Sequence, residues 1–186
     1  MKKVQRSDII PLEQYDARRD AVRASAMKAK AARRFHLGPE LTFLFENPET
    51  VRYQVQEMAR AERLFRPEEI QHELDTYNEL LGGPGELGCS LLIEITDPAD
   101  RDVKLRAWKD LPHHLYAMTA DGRRAPARFD ARQVGDDRLS SVQYLKFEVG
   151  SEPPVALGTD LPEHAVETAL TDEQREALRQ DLAADA

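Results

Sequence analysis

The chain has a single cysteine, Cys89, so it can form no internal disulfide and no cysteine-based metal cluster. Aromatics make up only 6% of its 186 residues, and charged residues make up 32%, which describes a polar but ordered chain. No run reaches the ~18 apolar residues of a membrane span. No apolar signal-like core follows the first lysines, and the expectation is a cytoplasmic protein with no membrane partner. The net charge of −8 argues against a broad nucleic-acid footprint, which needs a basic domain. Marks of catalysis are equally sparse. Gly82-Gly83-Pro84-Gly85 is followed by no Gly-Lys-Ser/Thr and by a strand, so it is not a phosphate-binding loop. Ser140 and Ser141 have no histidine nearby in sequence, and no Gly-x-Ser-x-Gly elbow occurs. Without a nucleophile–base pair or a complete metal motif, a non-enzyme is expected, although residues distant in sequence can still assemble a site.

What the chain does have is a distinctive stretch at 41–63, LTFLFENPETVRYQVQEMARAER. Leu41, Phe43 and Phe45 alternate with other residues at a strand period of two. Asn47 is a favoured N-cap, and Pro48 fits the first helical turn. In the helix that follows, Val51, Val55, Met58, Glu62 and Phe65 repeat on one face. Glu62 is therefore a carboxylate on an apolar stripe, and if buried it needs a partner or must be neutral.

The remaining elements follow the same logic. The spacing predicts a helix over 12–35, in a basic region where ten Lys/Arg stand between residues 2 and 34 against Asp8, Glu13, Asp16 and Asp20. That excess is either a docking face for an acidic partner or a solvated face that pairs with the protein's own acids. A further helix over about 67–81 buries Ile70, Leu74, Tyr77 and Leu81 and forms a hairpin with the helix that follows Pro48, through a short connection. Strands are expected at 88–96, 113–119, 123–130 and 139–149, with Asp121-Gly122 turning a β-hairpin. Cys89 falls on a strand's apolar face, as a small buried residue. Asp97-Pro98 starts a short helix, although Val103, Leu105 and Ala107 also alternate as in a strand, and a capped helix covers 171–182. The expected fold is α+β: a mainly antiparallel sheet of about five strands covered by the helix hairpin, with a long N-terminal and a short C-terminal helix. One domain is expected over 1–186, divided into a helical arm (1–35), a core (36–150) and a tail (151–186). The terminal helices offer surfaces for a homodimer.

Two groups of side chains are candidates for function. Glu57, Glu62, Glu69 and His72 could line a cleft and bind Fe, Mn or Zn. Glu69 and His72 have the i, i+3 spacing of one half of a di-iron motif. Arg128, Asp130, Arg132 and Arg138 gather at one sheet end, either as an anion site or as ion pairs that lock a loop. Arg52, Gln56 and Arg63 on the first hairpin helix extend this ligand or partner surface.

Two stretches, FENPETVRYQVQEMARAE at 45–62 and ARFDARQ…RLSSVQYLKF at 127–147, resemble the uncharacterised bacterial family called domain of unknown function 3501. The resemblance implies a setting beside rubrerythrin and an iron–sulfur oxidoreductase, hence peroxide defence or redox metabolism. It implies no activity, cofactor or catalytic residue. The first expectation is therefore an accessory or binding protein acting with redox partners. The alternatives are a metal-binding protein or enzyme at the carboxylate/His group, and an anion or nucleotide binder at the arginines.

Overall fold

The computed structural model describes residues 1–184. Eight strands form one antiparallel sheet in the spatial order β1-β2-β3-β6-β5-β4-β7-β8. They are β1 (Arg34–Leu37), β2 (Leu41–Phe45), β3 (Glu86–Ile93), β4 (Leu115–Met118), β5 (Arg124–Arg128), β6 (Val142–Glu148), β7 (Ala156–Thr159) and β8 (Val166–Ala169). The edge strands β1 and β8 lie against each other, so the sheet curls into a nearly closed barrel.

This corrects the expected five-strand sheet under a helix hairpin. The five predicted strands are present as β2 to β6, although the one expected at 113–119 begins with a helical turn, α5 (Leu111–His114). Three more strands complete the sheet, and two of them lie in the stretch expected to be a tail. A curled sheet covers its own apolar face, so it needs no helical lid. Phe35, Phe43, Phe45, Leu91, Leu115, Phe147 and Leu157 fill the interior. The Phe147 ring lies 6.4 Å from those of both Phe43 and Phe45.

The helices attach to the outside and the ends of this barrel. They are α1 (Leu12–Ala31), α2 (Pro48–Ala61), α3 (Pro67–Asn78), α4 (Pro98–Ala107) and α6 (Asp172–Ala183). The stripes of α2 and α3 close a second apolar cluster, in which Val51, Val55, Ile70, Leu74 and Leu81 pack on Val4 and Ile9 of the N-terminal segment. Asn47 caps α2 as expected: its Oδ1 accepts from the Thr50 amide at 2.9 Å, and the Thr50 hydroxyl accepts from the Asn47 amide at 3.0 Å. Asp97 caps α4 in the same way, accepting from Ala99 and Asp100. Helix α6 closes the chain with Leu178 and Leu182 in the barrel cluster.

The buried stripe of α2 ends at Ala59, so Glu62 is exposed at the C-cap and Phe65 is 69% exposed. Arg63 follows in the left-handed region at φ 52°, while the Leu64 amide donates to the Ala59 carbonyl at 2.9 Å. Glycine occupies this position in many helix ends because a Cβ there costs on the order of 1 kcal/mol. Arg63→Gly is expected to raise stability by about 0.5–1 kcal/mol in a urea titration with unchanged m-value. A drop in stability would show that the Arg63 side chain contributes more than its backbone costs.

Candidate functional site

A groove of about 860 Å³ lies between the end of α3, the Gly82-Gly83 loop and the outer faces of β5 and β6. Strand alternation builds its wall. Leu145 and Phe147 point into the barrel, so Tyr144 and Lys146 of the same strand point out. The β5 ladder stops where Arg128 pairs with Lys146, which leaves the Tyr144 backbone without a neighbouring strand on that side. The Gln133 side chain takes its place: the Tyr144 amide donates to Gln133 Oε1 at 2.7 Å, and Gln133 Nε2 donates to the Tyr144 carbonyl at 3.3 Å.

One half-buried carboxylate organises the charges. Arg128 donates to Glu86 Oε1 at 2.9 Å, the Gly83 amide donates to Oε2 at 3.2 Å, and Lys146 Nζ lies 3.8 Å from Oε2. Two cations around one carboxylate leave a local positive charge on this wall, while Glu79 and the Arg132-paired Asp130 also line the groove. Lys3 on the rim adds another cation and makes no ion pair among the described residues. Tyr77, Phe129 and Tyr144 supply aromatic surface, and Tyr144 is 46% exposed. Burial pushes the Tyr77 hydroxyl above its usual range, so it remains protonated at neutral pH. The groove can stack a ring, donate hydrogen bonds and attract an anion.

The arginine cluster expected at one sheet end divides into separate pairs. Arg128 joins Glu86 in the groove, and Asp130 also lines it. Arg132 donates to both Asp130 oxygens, and this holds the carboxyl down to about 2. Arg138 turns away to Asp102 of α4 at 2.7 Å. Arg52 lies at a second groove between α1 and α2, and Arg63 is exposed at the end of α2. Gln56 is buried, exchanging hydrogen bonds of 3.1 and 3.0 Å with the Ile10 backbone. Asn78 holds Val4 in the same manner at 2.8 and 2.9 Å.

Of the carboxylate/His group, Glu62, Glu69 and His72 line one shallow surface groove. Glu69 is engaged at its own helix start, accepting from the Arg66 amide at 3.2 Å. No group of three or more His, Cys, Asp or Glu among the described residues is placed to hold a metal ion. Glu57 lies elsewhere, between α1 and α2. Arg19 donates to its two oxygens at 2.9 and 2.8 Å, and the Tyr15 hydroxyl donates to it as well. Tyr15 is fully buried, and burial followed by the Glu57 bond pushes its hydroxyl well above the usual range. Cys89 is buried in the barrel, which raises its thiol and leaves it inert.

The hydrogen bonds from Arg19 hold the Glu57 carboxyl below its ordinary value of 4.5. The unfolded chain therefore binds this proton more tightly than the folded one. The resulting stability is fully present above pH 4.5 and is lost as pH falls through the lower folded value. Glu57→Gln is expected to flatten the pH dependence of stability below pH 4.5, measured by urea unfolding at several pH values. An unchanged acid slope would contradict this.

Sequence reasoning found Arg128 and Asp130 but missed Tyr144, Lys146 and Glu86. A signal for the first two was present, since an aromatic and a lysine alternate with Leu145 and Phe147 and must face outward. Glu86 gave none, because its role depends on the loop folding back beside it.

The fold and groove define a helix-flanked, nearly closed antiparallel barrel with a polar–aromatic concavity on its outer wall. The chain belongs to the family described as Protein of unknown function (DUF3501), whose model matches residues 3–182. It is also similar to a crystallographically solved protein from Burkholderia pseudomallei K96243 described as a novel protein of unknown function. The two share 28% identity over 99% of each chain, with a TM-score of 0.87. No curated protein matches it. No helix among the described residues is long and apolar enough to cross a membrane.

Proposed function

We propose that this chain is a binding protein that takes a planar aromatic anion in the groove at Tyr144. The observation that carries this reading is the meeting of Tyr77, Phe129 and Tyr144 with Arg128 and Lys146 around Glu86 in one concavity of ligand size. The aromatic rings stack the ligand, the cations take its charge, and Glu86 keeps the cations in place until it arrives. The redox setting implied by the family resemblance, with rubrerythrin and an iron–sulfur oxidoreductase as partners, is proposed as the context in which a cytoplasmic accessory protein of this kind works.

Thermal shift against AMP, FMN, 4-hydroxybenzoate and inorganic phosphate tests the reading, because a ligand that binds only the folded state raises the melting temperature. At least one ring-bearing anion is expected to give a concentration-dependent rise that phosphate does not. Tyr144→Ala and Arg128→Ala should each reduce it. No rise with any ring-bearing anion, or a rise that survives both substitutions, would overturn the proposal.

A further inference from the structure

The basic excess near the N-terminus is not a uniformly solvated face. Arg33 is buried against Asp181, the half-buried Arg19 pairs with Glu57, and Lys30 lies 5.3 Å over the Tyr53 ring. These side chains hold the protein together. Arg18 of α1 and Arg52 of α2 do not, since neither forms an ion pair among the described residues. They stand at one groove of about 340 Å³ between the two helices. Its floor is apolar and small, made by Ala21, Val22 and Ala26 of α1 with the Tyr53 ring. The one acid at the groove, Glu49, is engaged by the Ser25 hydroxyl at 2.7 Å. A chain of net charge −8 thus keeps two guanidiniums without an ion pair among the described residues, against one carboxylate, beside an apolar cleft.

We infer that this groove docks an acidic amphipathic helix from a partner protein. Ala21 and Ser25 lack long side chains, so a third helix can approach α1 closely. An apolar residue of that helix enters over Val22 and Tyr53. Carboxylates on its flanks meet Arg18 and Arg52, whose planar donor forks suit carboxylate geometry. This is the helix-in-groove mode of recognition, with charge setting the choice of partner. The inference is independent of the ligand proposed for the Tyr144 groove, which different elements form.

The probe is a synthetic helical peptide of about 20 residues, long enough to be helical in water. It is built from Glu, Leu and Ala, with leucines on one face. Fluorescence anisotropy is expected to show saturable binding that weakens as salt rises. The Lys-for-Glu counterpart should not bind. Arg18→Glu with Arg52→Glu should weaken binding by at least about tenfold. Arg18 and Arg52 do not pair within the protein, so unfolding curves should show that the double variant is folded. Ala21→Leu keeps both charges but fills the cleft, and it should weaken binding while leaving the salt dependence in place. Three results would overturn the inference. The first is no saturable binding of the acidic peptide, or binding indifferent to these variants. The second is tighter binding of a single-stranded oligonucleotide to the same two arginines. The third is concentration-dependent self-association that the double variant abolishes, which would make a second copy the occupant.

Discussion

Asp181→Ala is expected to destabilise the protein by about 3–5 kcal/mol, because it strands a buried guanidinium. The Arg33 and Asp181 side chains are only 9% and 7% exposed, and two bonds of 2.7 Å join them in a fork-to-fork pair. Asp181 also accepts from Asn47 Nδ2 at 3.2 Å, so one carboxylate ties α6 to the start of β1 and to the cap of α2. Arg33 completes its set with the carbonyls of Ala29 and Ala177. Removing the aspartate leaves Arg33 charged, desolvated and without a counterion. Replacing both partners with apolar residues, as in Arg33→Met with Asp181→Leu, removes that penalty and should recover most of the loss. Denaturant unfolding of the single and double variants measures both effects. A single-variant loss below about 1 kcal/mol would mean that water reaches Arg33, as in an exposed pair.

Gly88→Ala is expected to be at least as damaging, costing about 3 kcal/mol or preventing folding. A Cβ at Gly88 would lie 1.8 Å from the Leu80 carbonyl oxygen and 3.2 Å from the Gly82 nitrogen. Both are backbone atoms, so no side chain can swing aside. The end of α3 would have to lift off β3, and the Gly82-Gly83 loop would move with it. Gly83→Ala is the control, since its Cβ would meet only Glu86 Oε2 at 3.8 Å, an ordinary contact. It should leave stability unchanged or raise it by up to about 1 kcal/mol, because alanine at a compatible backbone position narrows the unfolded ensemble. Equal effects of the two substitutions on the unfolding midpoint would show that the loop is not fixed by this close approach. A Gly88→Ala protein that folds should also lose affinity at the neighbouring groove.

The elements with strong local patterns were legible from the sequence. The Asn47-Pro48 cap, the start of the α2 stripe at Val51 and Val55 and the Asp121-Gly122 hairpin depend on spacing within a few residues. The three strands that close the barrel were not legible, for different reasons. Strand β1 has four residues and follows α1 almost directly, so Phe35 reads as the end of the helix expected over 12–35. Strand β7 contains Gly158, where a Cβ would fall 2.4 Å from the Tyr116 ring. Its glycine is required by a neighbour that only the folded sheet supplies, while in sequence it weakens a strand. Strand β8 is short and has no strongly apolar face, with Glu167 exposed and accepting from the Tyr116 hydroxyl at 2.9 Å. The site shows the same division. Outward placement of Tyr144 and Lys146 follows from alternation. Their meeting with Glu86 and Tyr77 depends on contacts across more than fifty residues of chain, which no local pattern encodes.

An amide-resolved NMR titration tests the proposed binding function most directly. With ¹⁵N-labelled protein and AMP, FMN or 4-hydroxybenzoate added, saturable shifts are expected at Gly83, Arg128, Gln133 and Tyr144, while the α1–α2 amides stay unmoved. Spectra unchanged at millimolar ligand, or shifts that gather away from the Tyr144 groove, would contradict the account.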